Sequence, residues 1–103
     1  MRIREGLDVD EARLAEICRR YGIRELSLFG SVLGDDFGPD SDIDVLIALP
    51  YPSPIGLMEF VQCAQELGEL FGRKVDLVER DTLHWYIRDR VLAGARRVYA
   101  AAA

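Results

Sequence analysis

Two aspartates, Asp42 and Asp44, stand one residue apart at the head of an apolar run, IDVLIAL at 43–49. Side chains two positions apart on a strand leave the same face, so both carboxylates can reach one pair of divalent cations. Like charges held this close repel, and a bound cation relieves the repulsion. Hard carboxylate oxygens select Mg²⁺ or Mn²⁺, ions that keep water and share phosphate oxygens with a substrate. Ten residues separate Asp42 from the pair Gly30-Ser31, which leaves the segment ELSLF. Glycine lets a phosphate come close to the backbone, while the Ser31 hydroxyl and the N–H groups after it can bond phosphate oxygens. A short helix begun at Ser31 would add positive partial charge. A third carboxylate, Asp76, lies between Val75 and Leu77 in KVDLVE. Placed beside the strand of Asp42 and Asp44, it completes a set able to bind the second metal or to activate an attacking hydroxyl.

The rest of the chain must position these groups. Asp8 with Glu11 resembles a capping box, and Leu14, Ile17, Cys18 and Tyr21 recur at helical spacing up to Gly22. Glu25 to Phe29 and Ile43 to Leu49 read as strands, the second with Ile43, Val45 and Ile47 on one face and Asp42, Asp44 and Leu46 on the other. Ser53 and Pro54 open a further helix with Leu57, Phe60, Val61, Ala64, Leu67 and Phe71 as its apolar stripe and Gly72 as its C-cap. Lys74 to Glu79 is a strand, Asp81 caps a last helix bearing Leu83, Ile87 and Val91, and Arg96 to Ala100 adds an edge strand. The expected fold class is α/β (α+β), a small mixed β-sheet flanked by about four helices.

Charge and composition narrow the function further. The chain of 103 residues is net -5, but no Lys or Arg lies between Arg24 and Arg73, a stretch holding nine of the 18 acids. Half hydrophobic and 30% charged, it fits one folded domain rather than a disordered polyelectrolyte. The acidic middle argues against direct binding to a nucleic-acid backbone. No apolar run approaches the ~20 residues that span a bilayer, and no secretory signal is present, so the expected location is cytoplasmic. Cys18 and Cys63, far apart and without a metal-like spacing, read as buried thiols. Asp35, Asp36 and Asp40 accompany Gly38 and Pro39 in a turn-rich loop and read as turn residues, and Ser41 either caps or braces the aspartate pair. Trp85 and Tyr86 read as packing residues, and the lone His84 as structural.

Together the motif residues resemble the nucleotidyltransferases of the DNA polymerase beta superfamily, whose signature is Gly-Ser, ten residues, then Asp-x-Asp. Gly30-Ser31 and Asp42-Ile43-Asp44 match it, and Asp76 stands for the family's later third carboxylate. LFGSV, PDSDIDVL and the terminal IRDRVL look like the minimal nucleotidyltransferases, stand-alone catalytic domains often encoded as antitoxins beside a HEPN-domain ribonuclease toxin. The resemblance implies a single minimal nucleotidyltransferase domain over residues 1–103. It implies transfer of AMP from ATP, with two Mg²⁺ ions, to a hydroxyl such as a tyrosine of a HEPN-type toxin partner. Asp42, Asp44 and Asp76 would be the catalytic and metal-binding residues, and Gly30 and Ser31 would hold the nucleotide. The sequence departs at Gly34, where family members commonly carry Arg; metals, backbone amides, and Arg73 or Lys74 would then offset the triphosphate charge. The rival expectation is an antitoxin that neutralises its partner by binding alone, and a third is a small-molecule nucleotidyltransferase.

Overall fold

The computed structural model describes residues 1–102. Helix α1 (Glu11–Tyr21) starts where the Asp10 side chain accepts the N–H groups of Ala12 and Arg13, and stops at the left-handed Gly22. The cap is Asp10 rather than the expected Asp8, because Leu7–Asp8 forms strand β2, paired antiparallel with β1 (Arg2–Arg4). Leu14, Ile17, Cys18 and Tyr21 of α1 are all buried, as their spacing predicts.

Strands β3 (Glu25–Phe29), β4 (Ile43–Ala48), β5 (Val75–Glu79) and β6 (Arg96–Ala100) form a mixed sheet in the order β5-β4-β3-β6. β3 runs antiparallel to both β4 and β6, while β4 and β5 are parallel. A parallel neighbour requires a crossover, supplied by α2 (Leu57–Phe71). The helix begins after Gly56, three residues later than Pro54, and it buries Cys63, Leu67 and Phe71. Leu57 and Val61, expected in its stripe, are 79% and 48% exposed. The core lies between α1, α2 and one sheet face, where Leu26, Leu28, Ile43, Val45 and Ile47 are fully buried.

Helix α3 (Trp85–Gly94) follows a single 3-10 turn at Arg80–Thr82, so His84, not Asp81, precedes it. It buries no side chain. Leu92 and Ala95 instead line a cavity of about 220 Å³ with Ser27 and Leu46, which puts α3 over the opposite face of the sheet, the face of Asp44. Trp85 and Tyr86 stack edge to face on each other and remain 74% and 64% exposed, so they do not join the core. The described helices are therefore three, with a further 3-10 turn at Gly30–Leu33 where a short helix was expected from Ser31.

Candidate active site

The site forms where β3, the turn after it and β4 meet. Gly30 has φ +75°, and a Cβ built there would collide with Oδ2 of Asp44. Only glycine satisfies both conditions: it adopts the left-handed backbone without penalty, and it leaves room for the carboxylate against its Cα. The turn from Gly30 to Leu33 then carries Ser31 with it, half-buried beside Asp44. In the β4–β5 ladder Asp44 stands opposite Asp76, so the third carboxylate is the direct cross-strand neighbour of the second. Asp42, two residues before Asp44, is exposed where the loop enters β4.

The electrostatics follow from this crowding. Partial burial, then the charges of Asp76 and Asp42, raise the Asp44 carboxyl above its ordinary value. No ion pair among the described residues involves Asp42, Asp44 or Asp76. Nor do three carboxylate, histidine or cysteine groups among them close on one point as a preformed metal centre. Like charges oppose such closure, while Asp44 and Asp76, register partners on one sheet face, offer hard oxygens of the kind a divalent cation such as Mg²⁺ takes. The donor set therefore suits the ion that the sequence implies.

Two arginines hold the loop between the Gly30–Leu33 turn and Asp42. Arg73 donates to the carbonyls of Gly38 (2.6 Å) and Ser41 (3.0 Å), and its guanidinium lies 4.1 Å from the centre of the Phe37 ring. Arg4 donates to the carbonyls of Val32 (2.9 Å) and Gly34 (3.0 Å), with its guanidinium 4.8 Å from the same ring. Ser41 braces the loop by accepting the Gly38 N–H. Asp35, Asp36 and Asp40 are exposed on it. Arg73 is thus engaged with the loop rather than held free for a triphosphate. Arg4 and Phe37 escaped the sequence reading; a lone aromatic among the Asp, Gly and Pro residues of a loop is the one signal that could have marked the clamp.

Carboxylates beside a glycine turn suit chemistry on phosphate esters. The family model of the nucleotidyltransferase domain matches residues 11–98, and the chain belongs to that family. The protein adenylyltransferase MntA of Thermococcus cleftensis is 33% identical over 81 residues, covering 79% of this chain and 80% of that protein. MJ1217 of Methanocaldococcus jannaschii, an inferred protein adenylyltransferase, is 34% identical over 65 residues, and the match spans 63% of this chain and 64% of that protein. Among solved structures, one described as a minimal nucleotidyltransferase superposes with TM-score 0.69 at 29% identity, over 82% of this chain and 85% of the other. A toxin–antitoxin complex with AMP-PNP gives TM-score 0.71 at 19% identity, over 90% of this chain and 75% of that one. The complex of a tri-AMPylated HEPN toxin with an MNT antitoxin from Shewanella oneidensis gives 0.63 at 18%, over 88% and 70%. The last two likenesses establish the fold.

Proposed function

We propose that the chain is a Mg²⁺-dependent protein adenylyltransferase of one catalytic domain, transferring AMP from ATP to a tyrosine hydroxyl of a HEPN-type toxin and so acting as its antitoxin in the cytoplasm. The observation that carries this reading is the packing of Asp44 against the Cα of Gly30, in register with Asp76. It joins the phosphate turn to the carboxylates. Gly30 and Ser31 would hold the β- and γ-phosphates, and Asp42, Asp44 and Asp76 would hold the metals. When bound, Mg²⁺ neutralises phosphate charge and stabilises the departing pyrophosphate. The acceptor oxygen forms a bond to the α-phosphorus as the bond from that phosphorus to the bridging oxygen of the β-phosphate breaks. Pyrophosphate leaves with the electron pair, and the hydroxyl proton passes toward Asp76 and on to water. Asp76 is exposed on β5, the edge strand of the sheet, where an acceptor side chain on a second protein can approach.

Incubation with ATP labelled on the α-phosphate, Mg²⁺ and the HEPN-family product of a neighbouring gene should label that partner. The Asp42→Asn/Asp44→Asn double variant should not. Absence of label with both proteins removes the enzyme reading. The second reading, neutralisation by binding alone, draws support from Gly34, which offers no cation in the motif. It prevails if the double variant protects cells from the toxin as well as the wild type does.

A further inference from the structure

We propose that Arg90, on α3, is the side chain that grips the triphosphate of the nucleotide. This rests on the nucleotidyl-transfer reading and names a residue outside its motif. A cleft of about 370 Å³ opens beside the phosphate turn; Gly30, Leu33 and Gly34 line it from one side, Arg90, Val91 and Gly94 of α3 from the other. It lies over the sheet face that bears Asp44, since Phe29, which also lines it, is the register partner of Asp44. Arg90 is the one Lys or Arg on its walls.

Of the other arginines near the sheet six are already engaged, while Arg24 and Lys74, exposed just before β3 and β5, do not line this cleft. Arg4 and Arg73 hold the loop, Arg80 and Arg97 pair with Glu25, Arg96 donates to the carbonyls of Ile3 and Arg2, and Arg88 to that of Leu83. Arg90 is exposed and enters no ion pair or side-chain hydrogen bond among the described residues. Triphosphate at the Gly30 turn would lie near the Asp44 carboxylate packed against that glycine, bringing like charge to like charge, and metal ions would offset it from that side. An arginine fork on the opposite wall meets it from the other, with planar donors matched to phosphate oxygens. This also gives α3 a reason to lie where it does although none of its residues is fully buried. The Arg90 guanidinium takes the part that Gly34 cannot.

Titration calorimetry of the full chain with ATP and Mg²⁺ tests the inference in Arg90→Gln, Arg90→Lys and a remote control, Arg13→Gln, on an exposed part of α1. The Gln variant is expected to bind about tenfold to a hundredfold more weakly, the usual effect of losing charge-assisted hydrogen bonds. The Lys variant should recover part of the loss, and Arg13→Gln should bind like the wild type. The melting temperature of Arg90→Gln should stay within about 1 °C of wild type, as for surface substitutions. Binding by Arg90→Gln within twofold of wild type overturns the proposal. So does early melting of that variant, which would give Arg90 a structural role instead. Failure of the wild type itself to bind ATP is a separate outcome: it removes the nucleotide reading, and the Arg90 proposal falls with it.

Discussion

Along β4, Ile43, Val45 and Ile47 point toward α1 and α2 and are fully buried, while the alternate face begins with half-buried Asp44 and passes through Leu46 under α3. One face meets two helices that bury seven side chains between them, and the other meets a helix that buries none. The period of a strand makes this possible: neighbours in sequence live in different surroundings. Core burial on one side supplies the free energy that lets the other keep adjacent carboxylates without a cation partner. The acids sit at the open end of that face, Asp42 and Asp76 exposed and Asp44 half-buried.

The sharpest break in that division is at Asp44. Asp44→Asn keeps the shape and removes the charge, so AMP transfer should fall by about a thousandfold or more, the scale of losing a group that holds the metals. The same variant, melted in the presence of a chelator, should be more stable than wild type because the repulsion from Asp76 and Asp42 is gone. Lost activity with lowered stability would mean that Asp44 belongs to the framework rather than to the site.

Truncations on the two sides should differ next. Leu67→Ala opens a cavity at a fully buried position and should cost about 2–5 kcal/mol by urea unfolding. Leu92→Ala, on α3 and 39% exposed, should cost under about 1 kcal/mol. Equal costs would erase the contrast between the faces. A smaller effect is expected at the loop clamp. Phe37→Ala removes the ring that both Arg4 and Arg73 contact and loosens the segment leading to Asp42, so transfer should slow by about tenfold, and the melting temperature should fall because the ring also packs against the core.

How much of this was legible depended on how sharply a segment's pattern chose one side. In α1 the apolar residues form a single stripe with charges elsewhere, and each predicted residue is buried. In α2 apolar side chains surround most of the helix, from Leu57 and Met58 through Val61, Cys63 and Leu67, so periodicity alone did not choose the face that docks. Packing chose it, and left Leu57 and Met58 exposed. β3 and β4 were legible from alternation and β5 from its short, β-branched run; Gly30, Ser31, Asp42 and Asp44 were candidates by spacing and Asp76 as a carboxylate inside a strand, and the β4–β5 register sets Asp76 opposite Asp44. Arg4 and Arg90 were not legible. Arg4 reaches the loop from the first hairpin and Arg90 lines the cleft from the last helix, and no local pattern encodes a contact across 30 residues such as that from Arg4 to the carbonyl of Gly34.

The smallest test lies on the packed side, where α1 meets α2. The Tyr21 hydroxyl and the Arg20 guanidinium both donate to the Glu66 carboxylate. The Tyr21 bond, then Arg20, hold that carboxyl below its ordinary value against the opposing effect of burial. Burial and the same bond push the Tyr21 hydroxyl up to about 12. A depressed carboxylate contributes stability above its unfolded value of 4.5 and loses it as pH falls through the folded value. A raised phenol acts at the other end, its contribution present below 10 and lost as pH climbs toward about 12. The contribution of the Tyr21–Glu66 pair should therefore be flat between these limits and fall beyond each. Tyr21→Phe should cost about 1 kcal/mol at neutral pH, a hydrogen bond to a partly exposed charge. In urea unfolding the gap between variant and wild type should narrow once pH drops below about 4, where the carboxylate is neutralised in the unfolded chain and then in the folded one. A gap that persists undiminished at pH 3 would show that Tyr21 stabilises the α1–α2 contact by packing, with the charge of Glu66 playing no part.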